Sequence, residues 1–243
     1  MLSCVEKRLP FSMRAFRVVQ TILFLMFISR PCILLAQQKQ PSCEILSQSQ
    51  VSATINDAVK MQFAIDFPIF RVYKYVDRSG QYYCVLTEKL DTVASEEEGK
   101  YDSLHLAIRA IDLREDSGKL KKVWEINDHA NLDQKIEGVE QSIRFWTKYI
   151  EFTDFDGDGL IEPIIVYGSH SDSDLASGRI KFIIYYKGRK VAIRHQDSDL
   201  DEGRSTRIDK GFYTLPPKLK ESIHTKMQAM NKADQAIFEK TSF

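Results

Sequence analysis

The chain has 243 residues, 43% hydrophobic and 28% charged, and its 34 Lys and Arg balance 34 Asp and Glu. A balanced charge without a basic, aromatic-interleaved stripe argues against a nucleic-acid binder. Its 4 cysteines, two of them in the first 36 residues, are too few for a disulfide framework.

Residues 1–36 read as a signal peptide. Arg14 and Arg17 precede the apolar run Val18–Ile28, and Ala36 before Gln37 offers a small residue for cleavage. The run is shorter than the roughly 20 residues a membrane span needs. Met13 heads this signal so closely that it is a second candidate start beside Met1. Cys32 follows Ser-Arg-Pro, which is not the small-residue context of lipid attachment. Cleavage takes away five basic residues and one acid, leaving 29 basic and 33 acidic groups and a net charge of −4. The expected location is therefore periplasmic or extracellular, with no membrane span after cleavage. About 207 mature residues suffice for one domain with its own core. In an oxidising compartment Cys43 and Cys84 become candidates for a pair.

Residues 37–66 are polar and weakly patterned and read as a flexible lead-in. From 67 to 243 a single β-rich domain is expected. Pro68–Tyr75 and Gln81–Thr87 alternate as strands around the turn Asp77–Gly80. Residues 91–100 read as a solvated acidic loop. Ser103–Leu113 and Leu120–Ile126 form a second hairpin about Asp116–Gly118. Asp128–Glu140 is polar, a loop or a short helix, and Arg144–Phe152 is a strand with Trp146, Ile150 and Phe152 on one face. Pro163–Tyr167, Arg179–Tyr186 and Lys190–Arg194 complete the strands, the last two joined by the turn Lys187–Arg189. No long helical crossover separates them, so the fold class is mainly β, with antiparallel meander sheets built of propeller-blade-like hairpins. Leu219, Ile223, Met227, Met230 and Ile237 recur at helical spacing after Pro216-Pro217, which predicts a C-terminal helix over 216–238 packed on a sheet face.

The stretch richest in chemistry is Asp154–Glu162, Asp-Phe-Asp-Gly-Asp-Gly-Leu-Ile-Glu. Asp154, Asp156 and Asp158 alternate with short spacers, so a curled backbone can aim three carboxylates at one hard cation. Gly159 supplies a positive φ, Leu160 offers its carbonyl, and Glu162 stands at the ninth loop position. A helix–loop–helix calcium site carries a bidentate Glu at position twelve, where this chain has Ile165. With strands on both flanks, the reading is strand–calcium loop–strand, as in FG-GAP-type propeller blades. The expected cofactor is Ca²⁺, bound at about 10⁻⁴–10⁻³ M as in extracellular modules.

Four stretches together resemble a family of exported bacterial proteins, largely uncharacterised and sometimes labelled surface polysaccharide biosynthesis proteins. They are Val85–Glu88, Lys122–Asp128, Phe152–Glu162 and Lys181–Arg194. The resemblance implies a role in the cell envelope without naming a reaction. The chain departs from the family after Arg194, where it reads His195-Gln-Asp-Ser-Asp199.

His170–Asp174 and His195–Asp199 share the pattern His-x-Asp-x-Asp, a second candidate metal site at the sheet end opposite the calcium loop. Catalytic signatures such as Gly-x-Ser-x-Gly or a phosphate-cradling glycine loop do not occur. The expected function is a non-catalytic, calcium-stabilised exported protein that binds a surface partner or glycan. The rival is an envelope polysaccharide-processing enzyme using the His170/His195 end. Tyr73, Tyr75, Tyr82, Tyr83, Tyr185 and Tyr186 are either core or sugar-stacking rings, core packing being the commoner fate.

Overall fold

The structure, a computed structural model, describes residues 40–92, 103–132, 140–171 and 178–239. The signal segment 1–36 lies outside these residues. So do most of the acidic loop 91–100 and most of the stretch between Asp128 and Glu140. In chain order the elements are β1 (Ser42–Ile45), α1 (Gln48–Thr54), α2 (Asp57–Phe63), β2 (Ile69–Asp77), β3 (Gly80–Thr92), β4 (Ser103–Asp116) and β5 (Lys119–His129). Then follow β6 (Glu140–Phe145), β7 (Glu151–Thr153), β8 (Glu162–Ser171), β9 (Gly178–Tyr186), β10 (Arg189–Asp197), β11 (Ser205–Ile208) and α3 (Pro217–Lys232). Short 3₁₀ turns at Asp201–Gly203 and Lys210–Thr214 flank β11.

The strands make two antiparallel sheets. One has the order β1-β2-β3-β4-β5, and the other β11-β10-β9-β8-β6 with β7 also paired to β8. The protein is thus mainly β and built of hairpin meanders, as its alternating strands imply. Alternation also stacks the layers. In the first sheet Tyr73, Tyr75, Cys84, Leu86, Ile108 and Ala110 face the second, meeting Ile143, Phe145, Ile165, Tyr167, Ile183 and Tyr185 in one core. Neighbouring residues on the same strands, Val72, Val85, Ile111 and Leu113, point the opposite way. So do Ile164, Val166, Phe182 and Ile184 of the second sheet. Both sheets are therefore apolar on both faces and need cover on both.

Helices supply the outer cover. On the second sheet, α3 lays down Leu219, Ile223, Met227 and Met230, all at most 3% exposed. Four such side chains contribute on the order of 6–12 kcal/mol of gross burial free energy. The helix is shorter than expected: it stops at Lys232, and Asp234 takes φ 51°. Ile237 consequently leaves the stripe and is 42% exposed, while Phe238 turns back into the core.

The first sheet is covered by a segment read as a flexible lead-in. Residues 40–66 instead form β1, α1 and α2 within the compact unit Lys39–Phe243. Ser47 and Gln50 cap α1 reciprocally, Ser47 N–H donating to Gln50 Oε1 at 2.8 Å. Asn56 Oδ1 caps α2 by accepting from Val59 N at 3.1 Å. Val51, Ile55 and Ile65 pack onto Val72 and Val85 beneath, and Arg109 of β4 donates to the carbonyls of Phe63 and Ala64 at the end of α2. The apolar positions Val51, Ile55, Val59 and Phe63 recur every four residues, a stripe that the surrounding Gln and Ser obscure.

One further expectation is corrected, and the open question of the two cysteines is decided. Arg144–Phe152 is not one strand: Trp146–Tyr149 turns, Tyr149 N donating to Trp146 O at 2.9 Å, and β6 and β7 pair separately with β8. The turn lets Trp146 and Tyr149 pack on the outer face beside α3 while Phe152 stays in the inter-sheet core. Cys43 and Cys84 are both free. Cys43 is on β1 and Cys84 on β3, with β2 between them. Two strand spacings, roughly 9.6 Å, exceed the ~7 Å Cα limit for a disulfide.

Replacing Ile223, fully buried on the sheet-facing side of α3, by Ala is expected to cost about 2–5 kcal/mol. Urea unfolding followed by far-UV circular dichroism checks this as a lower midpoint at unchanged slope.

Candidate metal centre

The loop between β7 and β8 curls as its glycines dictate. Gly157 and Gly159 take φ +75° and +84°, a region that residues with a Cβ avoid. Asp154 organises the curl: its Oδ1 accepts from Gly157 N at 2.8 Å and Asp158 N at 3.1 Å, and its Oδ2 from Gly159 N at 2.8 Å. Asp158 Oδ1 accepts from Leu160 N at 2.9 Å, and Glu162 Oε2 reaches back to Phe155 N at 2.8 Å. Asp154, Asp156, Asp158 and Glu162 each bring an oxygen to one focus, all within 4.8 Å of one another. This acidic cluster can hold a metal ion, and it is the single such group among the described residues. Leu160, at the seventh position, gives its N–H to Asp158. Ile165, at the twelfth, is fully buried in the inter-sheet core and has no part in the cluster.

Four carboxylates this close repel one another, by roughly 1 kcal/mol per pair in water and several times more when partly buried. The strain shows on Glu162, which is 1% exposed at the start of β8. Burial, then the charges of Asp156, Asp154 and Asp158, push its carboxyl up to about 7. Part of the compensation comes from Lys187 in the β9–β10 turn. Its ammonium lies 3.2 Å from Asp156 Oδ2 and 3.3 Å from Asp158 Oδ2. Tyr186, Asp156 and Asp158 hold that ammonium above the usual lysine range. Arg78 approaches Asp158 more loosely, at 4.0 Å.

The sequence did not disclose that the loop is fastened to the opposite sheet. Arg78 N donates to Gly159 O at 2.9 Å, and Ile161 N donates to Asp77 Oδ2 at 3.2 Å. Asp77, 6% exposed, also accepts on Oδ1 from Ser79 N, Ser79 Oγ and Gly80 N at 2.7, 2.6 and 3.2 Å. One carboxylate thus closes the β2–β3 turn and grips the metal loop 84 residues away. Its place in an Asp-x-x-Gly turn was legible, and its distant partner was not.

The opposite end of the sandwich is tied by charge. Lys181 of β9 donates to Asp128 of β5 at 2.5 Å, and Arg179 pairs with Glu140 and bonds His129 O at 2.9 Å. Burial would raise Asp128, yet Lys181 and Arg179 hold it below the usual carboxylate range.

The His-Asp segments meet only in part. His195 is 2% exposed, with Nδ1 2.9 Å from Thr206 Oγ1, Nε2 3.4 Å from Asp197 Oδ1, and its ring 4.3 Å from that of Phe238. Asp197 in turn accepts from Ile237 N at 3.0 Å. These contacts anchor the C-terminal segment on the sheet. His170 is exposed beside a cavity of about 500 Å³ lined also by Asp197, Arg144 and Trp146. Of acids and histidines, His170 and Asp197 alone line it among the described residues, and His195 does not. Asp172 and Asp174 lie outside those residues. Of the six tyrosines, all but the half-buried Tyr186 are buried, so they form no outward sugar platform.

Comparison with protein-family models, with characterised proteins and with solved structures returned no match. Among the described residues no helix is long and apolar enough to cross a membrane.

Asp77→Ala leaves Ile161 N and the β2–β3 turn without their acceptor and is expected to cost about 2–4 kcal/mol. Denaturant unfolding in EGTA checks this, and a loss below 0.5 kcal/mol would remove Asp77 as the fastening of the loop.

Proposed function

We propose that this is a non-catalytic, calcium-stabilised protein of the exported cell-envelope class, which binds a surface partner or glycan. One observation carries the reading: four carboxylates converge in a loop between two strands that is also bonded to a hairpin of the facing sheet. An all-carboxylate oxygen set with a backbone carbonyl to spare suits a hard cation, and calcium tolerates the irregular geometry of such a loop better than magnesium does. Asp154, Asp156, Asp158 and Glu162 would hold it, with the carbonyl of Leu160 as a fifth ligand. The ion would neutralise the repulsion within the cluster and stiffen the join between sheets. Arg14, Arg17, the apolar run to Ile28 and Ala36 support export. The resemblance of Val85–Glu88, Lys122–Asp128, Phe152–Glu162 and Lys181–Arg194 to a family of exported bacterial proteins supports the envelope assignment.

Calcium at 10 mM against a Kd near 10⁻⁴–10⁻³ M stabilises by roughly 1.4–2.7 kcal/mol, or a rise in Tm of about 3–10 °C relative to EGTA. Scanning calorimetry checks this. Glu162→Gln should abolish the response, and identical melting of the wild-type protein with calcium and with EGTA would refute calcium stabilisation. Periplasmic material from a bacterial host should begin at Gln37 by intact mass.

Lys187 competes with the ion for Asp156 and Asp158. Lys187→Gln is therefore expected to tighten calcium binding about three- to tenfold by calorimetric titration. Weaker binding in that variant would contradict the competition.

A further inference from the structure

Beside the metal loop, a slot of about 230 Å³ opens between the two sheets. Its inner end holds the side chain of Asp112, which is 0% exposed. Oδ2 accepts from the Tyr75 hydroxyl at 2.8 Å, while Oδ1 is buried without any hydrogen-bond partner. A buried carboxylate oxygen left unpaired is costly, so the position calls for a compensating donor or positive charge from outside the fold. Asp112 follows Ile108 and Ala110 on the inward face of β4, where an apolar residue would pack without that cost.

The rest of the slot narrows the chemistry of that partner. Four aromatic rings line it: Tyr75 and Tyr82, stacked with centroids 4.8 Å apart, and Trp124 and Tyr185, stacked at 4.2 Å. Aromatic rings attract cations through the negative potential of their faces. Asp77 adds a second carboxylate to the lining, while Glu162, also there, belongs to the acidic cluster. Of the nearby basic side chains, Lys187 lines the slot and is committed to Asp156 and Asp158, and Arg114, 5.9 Å from the Tyr82 ring, is bonded to Ser79 O. A neutral hydroxyl ligand could donate to Asp112 but would gain nothing from the negative charge around it. The volume lies below the ~300–1,000 Å³ of pockets for drug-sized molecules, so the occupant is small.

We propose that the slot between the sheets binds a small organic ammonium ion, with Asp112 as its counter-charge and Trp124, Tyr185, Tyr75 and Tyr82 as its aromatic enclosure. Asp112 is not a member of the metal cluster, so the slot does not require the loop to hold an ion.

The test is titration of the full chain with choline, followed by tryptophan fluorescence and calorimetry, against its uncharged isostere 3,3-dimethylbutan-1-ol. Saturable binding of choline is expected, with at least tenfold weaker binding of the isostere. Asp112→Asn keeps the shape of the side chain and should weaken choline at least tenfold while leaving the calcium-induced rise in Tm intact. Trp124→Leu should remove the emission change and weaken the calorimetric response, assigning the signal to this ring rather than to Trp146. Equal binding of choline and the isostere, undiminished affinity in Asp112→Asn, or no choline binding by a protein that still responds to calcium would each overturn the proposal. Choline binding that persists in a protein indifferent to calcium would uphold it and remove the calcium reading alone.

Discussion

Two sheets with apolar residues on both faces cannot be satisfied by packing against each other alone. Each has one face left over, and burying those two faces dictates most of this molecule. The C-terminal helix covers one with Leu219, Ile223, Met227 and Met230, and the N-terminal helices cover the other with Val51 and Ile55. The resulting order of layers is helix, sheet, sheet, helix. It explains why a stretch as polar as residues 40–66 is part of the domain: without it Val72, Val85, Ile111 and Leu113 would face water.

Polar groups at the sheet-to-sheet interface then decide how the layers are held in register. At one end Asp77 spans the β2–β3 turn and the acidic loop; at the other, Arg179 and Lys181 meet Glu140 and Asp128. Between them Glu88 of β3 accepts from Phe145 N of β6 at 2.9 Å. Each of these carboxylates is buried or nearly so and each has its partners, as buried charges require. Asp112 departs from that pattern, and Glu162 has three like charges beside it. Both titrate near 7, Asp112 because burial outweighs its bond from Tyr75. The two carboxyls pushed upward among the described residues therefore line one slot at one end of the sandwich.

A catalytic cleft gathers a nucleophile or acid–base pair with its orienting groups. At the His170/His195 end the imidazole of His195 is buried against Thr206, Asp197 and Phe238, and it serves to hold the chain terminus. The acidic-loop end instead joins paired strands, a loop fastened to the facing sheet and an aromatic slot. Lys187 gives this end a built-in counterion, so the loop need not fly apart when no metal is there.

The strand alternation, the turn glycines and the spacing of Asp154, Asp156, Asp158 and Glu162 follow from local chemistry, and the sequence alone determined them. A period of two places side chains on opposite faces, and positive-φ glycines bend a loop wherever they occur. The stripe of α3 was equally local, apart from its final turn, which ends where Asp234 takes a left-handed conformation. Tertiary structure decided which faces meet, because pairing strands distant in sequence is a matter of burial summed over the whole chain. It also made Asp77 a fastening, Lys187 a counterion and Asp112 an unpaired acid, since each acquires its role from residues that only folding brings near. Helices α1 and α2 stand between the two cases: their caps and four-residue apolar spacing are written locally, but sheet β2-β3-β4 supplies the surface that makes so short a pair worth forming.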